Sequence, residues 1–231
     1  METKPRVSVI IPTLNEEAVI ENTLRTLHEN KERVTLEVII VDGGSTDSTC
    51  QIASRYADQV IIMSPGRGGQ LNRGAENSCG EILWFLHADS QLEKDYVLDI
   101  VKTTEQGIGG GCFEITFDSK GFIYQCIAWS SNQRAKWFKS FYGDQGIFVK
   151  REVFQKLGGF RPIPLMEDLE FSRRLKRATK VQVIQRPLQT SSRRFRKGIL
   201  RTLLVMQLLK LGFYLQVNPK FLSRVYGLGR G

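Results

Sequence analysis

Val7-Ser-Val-Ile-Ile-Pro-Thr-Leu-Asn-Glu16 decides the architecture. The run Val7 to Ile11 is rich in β-branched residues and stops at Pro12, which reads as a short buried strand. Asn15 then offers an N-cap, with Glu16 and Glu17 in the first turn of a helix that carries Val19, Ile20, Leu24 and Leu27 on one face. Outward from here the alternation repeats. Leu36 to Val41 is a second buried strand, closed by Asp42-Gly43-Gly44-Ser45, and Thr46 or Asp47 opens a helix through Tyr56. Val60 to Met63 is a third strand, followed after Gly66-Arg67-Gly68-Gly69 by a helix over Gln70 to Ser78, and Ile82 to Leu86 is a fourth. This βαβαβαβ order predicts an α/β fold with a mainly parallel sheet and helices on both faces.

The second half is less regular. It predicts a helix over Glu93 to Thr103, a strand over Cys112 to Phe117, and helices over Ile123 to Trp137, Arg151 to Leu157 and Asp168 to Arg177. With no repeat, low-complexity tract or linker, the 231 residues read as one domain. Apolar residues make up 41%, which excludes a disordered or fibrous chain.

Lys and Arg number 33 against 24 Asp and Glu, a formal charge of +9, and the excess is concentrated. From Phe171 to Gly231 there are fifteen basic residues and no acidic one, so residues 1–170 hold 18 basic against 24 acidic residues and are net acidic. A basic tail on an acidic body points to phosphate on a nucleotide, a lipid surface or a nucleic acid, or else to a solvated face. Ile199 to Val217 approaches the length of a membrane span but contains Arg201 and Lys210. A mid-bilayer charge costs about 2.5–3.5 kcal/mol, which favours a helix packed on the protein or lying among lipid headgroups.

Four scattered cysteines and two histidines, with no C-x-x-C pair, argue against a zinc module and for reduced thiols. Glu2, Lys4, Pro5 and Arg6 before the first apolar run do not make a signal peptide, so a cytoplasmic protein is expected.

In an open α/β sheet, ligands bind beyond the carboxyl ends of the strands. Polar residues gather at four such ends: Thr13 to Glu16, Asp42 to Asp47, Arg67 with Asn72, and His87 to Asp89. Asp42 and Asp89 each follow a buried strand, where a carboxylate serves a ribose, a base or a hard cation, or simply caps a turn. Glu167-Asp168-Leu169-Glu170 places three acids at a helix start, as dipole partners or as a source of a general base. The glycine-rich Gly66-Arg67-Gly68-Gly69 is neither the dinucleotide fingerprint nor a P-loop.

Taken in order, Val7-Ser-Val-Ile-Ile-Pro-Thr-Leu-Asn-Glu16, Val41-Asp-Gly-Gly-Ser-Thr-Asp47, Gly66-Arg-Gly-Gly-Gln-Leu-Asn-Arg-Gly74, Phe85-Leu-His-Ala-Asp89 and Met166-Glu-Asp168 resemble the successive motifs of family-2 inverting glycosyltransferases with the GT-A fold. Small size and the His87-Ala88-Asp89 variant are similar to a compact bacterial branch of that family. The resemblance implies a Rossmann-like sheet with a nucleotide-sugar half over residues 5–110, an irregular acceptor half over 111–190 and a C-terminal helical tail over 191–231. It implies a UDP or GDP sugar donor, a hydroxyl acceptor and Mn²⁺ or Mg²⁺, with no nucleic-acid partner. Pro12, Glu16, Asp42 and Arg67, with Asn72, would contact the donor; Asp89 and His87 would hold the metal; Asp168, beside Glu167, would be the base. Asp144 and Gln145 fall where such enzymes build the acceptor side, and the Arg193-Arg194-Phe195-Arg196 cluster, Arg194 foremost, would fold over the diphosphate or else meet phospholipid. Gly43 stands where the family often has a second acid, leaving the base open between uridine and guanosine. The rival readings are a sugar nucleotidyltransferase and a non-enzymatic module for phosphate or anionic lipid, with peripheral contact at the inner membrane face drawn from the tail.

Overall fold

The computed structural model describes residues 5–31, 33–196 and 198–230; Glu2, Lys4 and Lys197, read above in the sequence, lie outside them. Seven strands form one sheet: β1 (Val7–Thr13), β2 (Leu36–Asp42), β3 (Gln59–Ile62), β4 (Ile82–Phe85), β5 (Gly110–Phe117), β6 (Ile147–Lys150) and β7 (Val181–Thr190). Their order is β3-β2-β1-β4-β6-β5-β7. β3, β2, β1 and β4 are parallel neighbours, β6 is antiparallel to both β4 and β5, and β7 runs parallel to β5. The α/β, mainly parallel GT-A-type sheet expected from the sequence is the one observed.

Period-two alternation along the central strands feeds two cores. Val7, Val9 and Ile11 of β1, with Val38 and Ile40 of β2 and Trp84 of β4, pack on one face. Ile10, Ile39, Val41, Leu83 and Phe85 pack on the other, under an aromatic cluster in which Phe160 and Phe171 rings lie 4.5 Å apart. Each fully buried aliphatic side chain contributes about 1.5–3 kcal/mol, so these strands are fixed in register by their pattern.

The helices α1 (Ile20–Asn30), α2 (Thr49–Ala53), α3 (Arg67–Glu76), α4 (Tyr96–Glu105), α5 (Phe122–Phe138), α6 (Arg151–Lys156) and α7 (Glu167–Ala178) flank the sheet, and α8 (Ile199–Tyr214) and α9 (Pro219–Arg230) follow it. α3 lies close on the sheet because Gly74 has no side chain: a Cβ there would sit 2.4 Å from the Ile10 methyl Cγ2. Cys112 is fully buried, and burial pushes its thiol well up, as expected of a core cysteine.

Several boundaries differ from expectation. The first helix starts at Ile20, so Asn15 is not its N-cap, and Glu16 and Glu17 lie outside its first turn. Asn15 instead adopts a left-handed conformation (φ 54°), its side-chain oxygen accepts from the Thr46 N–H at 2.9 Å, and its own N–H donates to Ser45 Oγ. These residues tie the loop after β1 to the loop after β2. α3 begins at Arg67 rather than Gln70, and α4 at Tyr96 rather than Glu93. β6 and β7 were not expected. β6 is only four residues long, and the apolar alternation of β7 is broken by Arg186 and by Pro187, where its register against β5 shifts. Proline is tolerated because β7 is the sheet edge.

Candidate active site

Register brings the polar strand ends together. Thr13 pairs with Asp42 across β1 and β2, while Leu86 N–H bonds to the Ile10 carbonyl and leads β4 into His87-Ala88-Asp89 at the same edge. Helix starts of α3 and α7 and the Gly143–Gln145 turn add Arg67, Glu167, Asp168 and Asp144.

Asp42 is fully buried and saturated. Its Oδ1 accepts from the Gly44 and Ser45 N–H groups, and its Oδ2 from the Thr13 and Ser45 hydroxyls at 2.7 and 2.6 Å. Burial pushes its pKa up, but these bonds, those of Ser45 foremost, outweigh it and hold the carboxyl below the usual range. Its carboxylate is spent on the shape of the Asp42–Ser45 loop. Pro12, half-buried in β1, lies one residue before Thr13.

Asp89 is different. Its Oδ2 lies 3.2 Å from Arg193 Nε, and its buried Oδ1 has no hydrogen-bond partner among the described residues. Burial pushes its pKa up against the pull of Arg193. Arg193 also grips Glu16, with Nη1 2.7 Å from Oε2 and Nη2 2.8 Å from Oε1, so one guanidinium joins the end of β1 to the end of β4.

His87 is held neutral: burial, then Arg67, Arg194 and Arg193, push its pKa well down. Its Nε2 contacts the Arg67 guanidinium, which can only donate, so the ring proton is placed on Nδ1, 3.9 Å from Asp89 Oδ1. No group of three or more His, Cys, Asp or Glu side chains among the described residues could hold a cation. Asp89 Oδ1 nevertheless suits one, since Mg²⁺ and Mn²⁺ commonly take one or two carboxylate oxygens and complete their shell with water and substrate phosphate.

Arg67 also pairs with buried Glu167, Nε to Oε1 at 3.2 Å. Burial pushes the Glu167 pKa up, Arg67 opposes this and Asp168 adds to it. Next to it, Asp168 Oδ2 accepts from the Gly143 N–H at 2.7 Å, and Oδ1 from the Leu169 N–H. Gly143 leaves room for the Arg67 head: a Cβ there would lie 1.8 Å from Arg67 Nη2 and 2.9 Å from His87 Nε2, so the arginine would have to move. Arg67 and His87 fill the space beside the Gly143 backbone, so Asp168, which accepts from Gly143, lies in one cluster with Arg67, His87 and Asp89. Asp144 closes the far side, with Oδ2 3.3 Å from Arg194 Nη2 and a buried Oδ1 lacking a hydrogen-bond partner among the described residues.

Two expected ligands are spent on the scaffold. Asn72 donates to the Phe160 carbonyl and accepts from the Phe160 N–H, both at 2.8 Å, which fixes the loop before α7. Gln145 is fully buried, its oxygen accepting from Arg134 and from the Tyr142 N–H while its amide donates to the Phe113 carbonyl.

Within the 193–196 cluster read as folding over the diphosphate, Arg193 takes Glu16 and Asp89 while Arg194 takes Asp144. One basic residue joins the site that the sequence did not single out. Lys210 read only as a charge that spoils a membrane span, yet its Nζ lies 5.2 Å from the Tyr142 ring centroid, with Arg134 3.5 Å from the same centroid. Burial, with Arg134 adding and Asp144 opposing, lowers Lys210 to about 8, and burial raises Tyr142 to about 12. A charge inside an apolar helix was the available signal.

The family profile described as "Glycosyl transferase family 2" matches residues 8–158. Similar curated proteins include the probable glycosyltransferase YdaM of Bacillus subtilis, 30% identical over 201 residues covering 76% of this chain and 47% of that protein. Glycosyltransferase AglE of Haloferax volcanii is 27% identical over 172 residues, 68% of this chain and 57% of its own. The chain thus spans about half the length of these relatives. Among solved structures, the mannosyltransferase PcManGT of Pyrobaculum calidifontis, in complex with GDP-Man and Mn²⁺, is 20% identical with a TM-score of 0.66, covering 99% of this chain and 74% of that one. An S. aureus TarS fragment in complex with UDP is 19% identical with a TM-score of 0.67, covering 88% and 65%. At these identities the likeness is one of fold.

Proposed function

The chain belongs to glycosyl transferase family 2, and from that premise we propose that it moves a sugar from a nucleotide-diphosphate sugar to an acceptor hydroxyl with inversion at the anomeric carbon. The observation that carries this reading is the gathering of Asp168 and Asp89 in one cluster with Arg67, Arg193 and Arg194. It sets a carboxylate beside a cationic seat of the kind a leaving diphosphate needs. That solved relatives of the fold hold GDP-Man with Mn²⁺, or UDP, is consistent with such a donor.

In this reading Pro12, Glu16 and Arg67 border the nucleoside, and Asp42 acts through the loop it shapes. Arg193 and Arg194 exchange their present carboxylate partners for diphosphate oxygens, which guanidinium forks match. Asp89, whose Oδ1 has no hydrogen-bond partner among the described residues, would hold the divalent cation, which when bound would supply charge neutralisation of the diphosphate. Asp168 accepts the proton of the acceptor hydroxyl as its oxygen bonds to the anomeric carbon. The bond from that carbon to the diphosphate oxygen breaks in the same step, the electron pair leaves with the diphosphate, and attack from the opposite face inverts the centre. Asp144 and Tyr142 border the acceptor. The whole chain serves as one domain, its donor half before residue 110 and its acceptor half after it.

Calorimetric titration with UDP, GDP and their sugars tests this, with Mn²⁺ and then with chelator. We expect one nucleotide series to bind, and to bind at least ~10-fold more weakly in chelator and in Asp89→Ala, equivalent to about 1.4 kcal/mol. Absence of binding to every nucleotide by folded protein would overturn the proposal. In the same titration, Gly143→Ala is expected to keep the fold but push the Arg67 head aside, weakening donor binding ~10-fold through loss of one charge-assisted contact. Wild-type affinity in that variant would remove Arg67 from the donor site.

A further inference from the structure

Among the described residues, every large hydrophobic side chain left exposed lies on α5 or between Leu200 and Phe221, except Leu14 and Ile62. On α8 and its C-cap, Leu200, Leu204, Leu208, Leu211 and Leu215 recur at steps of three and four, which puts them on one stripe of the helix. They are 56–76% exposed. The other side of the helix is occupied: Leu209 and Gly212 are buried, Leu203 packs against the Ile115, Phe117 and Phe195 cluster, and Lys210 reaches Tyr142. The α5 side chains Tyr124, Ile127 and Ala128 enter that same cluster, so α5 and α8 share one apolar patch of core, and α5 exposes Trp129 and Trp137.

Charge identifies what covers this face. Neither α5 nor any residue after Glu170 is acidic, while the tail over 191–231 carries nine basic residues, among them exposed Arg196, Arg201 and Lys220. A second copy of the chain docking through the same face would meet like charge across a two-fold axis, which disfavours it. An anionic bilayer is complementary on both counts: leucines enter the acyl boundary, cations meet phosphates, and tryptophan suits the headgroup layer. No helix among the described residues is long and apolar enough to cross a membrane, and the 16 residues of α8 span about 24 Å against a core of about 30 Å. Lying in the surface is the geometry left to it.

We propose that the leucine stripe of α8, flanked by the exposed aromatics of α5, docks this protein on anionic phospholipid. The inference goes beyond the transfer reading and stands without it. Because Lys210 projects from the same helix toward Tyr142 and Asp144, docking would hold that corner of the site about one helix diameter, ~10 Å, from the headgroups.

The chain's own tryptophans report the event. Of three, Trp84 is fully buried, whereas Trp129 and Trp137 are 63% and 71% exposed. Vesicles of phosphatidylcholine with a quarter phosphatidylglycerol are expected to sediment the protein, shift its tryptophan emission to the blue and, when brominated, quench it. Pure phosphatidylcholine should bind at least ~10-fold less, and raised salt should weaken the anionic binding. The double variant Leu204→Glu/Leu208→Glu, at positions 65% and 64% exposed, should melt as wild type does. Its vesicle binding should fall at least ~30-fold. Arg201→Glu, which leaves the stripe intact, should weaken binding to the anionic vesicles alone. Equal binding to neutral vesicles, no binding to either, or sedimentation without tryptophan shift or quenching each overturns the proposal. So does a concentration-dependent dimer that the double variant abolishes. Donor titration on the same samples separates failure here from failure of the transferase reading.

Discussion

Asp168→Asn is expected to slow sugar transfer by about 10²–10⁴-fold while donor affinity stays within ~3-fold of wild type, because a positioned general base contributes that much and does not hold the donor. The rate would be read as nucleoside diphosphate released in the presence of the hydroxyl acceptor that turns over fastest. Asparagine tests the base rather than the geometry. Asp168 accepts one N–H from Gly143 and one from Leu169, and an asparagine oxygen can keep one of the two. The lost bond costs about 0.5–1.5 kcal/mol, a modest fall in melting temperature that leaves most protein folded at assay temperature. A structural reading competes, since Asp168 lies in the first turn of α7 with Glu167 and Glu170, where acids stabilise the helix dipole. That reading predicts near-normal turnover once the protein is folded, and such a result would remove Asp168 from the chemistry.

How far the site could be read ahead follows from what kind of signal each residue leaves. β1, β2 and β4 are buried on both faces and therefore appear as nearly continuous apolar runs, broken inside only by Ser8 and Glu37, and the acids at or just beyond their ends, Asp42 and Asp89, inherit that clarity. Asp168 and Glu167 were visible as acids after a turn-rich tract, the usual mark of a helix start. The acceptor half resisted because its strands are short or interrupted, as Ile147–Lys150 and the bulged strand around Pro187 show. Side-chain direction was the second barrier. Asn72 and Gln145 look like ligands in a motif, but their amides answer to backbone groups at Phe160 and Phe113 that only the folded chain brings near. Arg193 meets Glu16 from 177 positions away in the chain, a pairing no local pattern encodes.

The same network that gives the site its chemistry makes Arg67 a stability residue, and Arg67→Met is expected to be the most destabilising of these substitutions. Glu167 is only 5% exposed and Arg67 is its counter-ion. Removing the guanidinium strands a buried carboxylate, which costs about 3–5 kcal/mol for a fully buried pair. The Arg67 side chain is itself 36% exposed, so water reaches the vacated place and the low end of that range applies. The loss should depend on pH in a definite direction. Burial already raises the Glu167 pKa in the folded state, and without Arg67, the term opposing burial, it rises further. A folded carboxyl that holds its proton more tightly than the unfolded one makes stability fall as pH increases through the folded pKa. Against wild type, the variant's deficit should therefore be full at neutral pH and shrink as the pH is lowered through the raised Glu167 value, as the folded state takes up a proton the unfolded chain does not. Denaturant unfolding at a series of pH values measures this directly. Glu167→Gln placed on Arg67→Met should recover much of the neutral-pH deficit and flatten the difference between pH values, since a neutral amide has no charge to strand. A deficit independent of pH, unrelieved by that second change, would mean that Arg67 stabilises the fold by packing, and that its pairing with Glu167 contributes nothing.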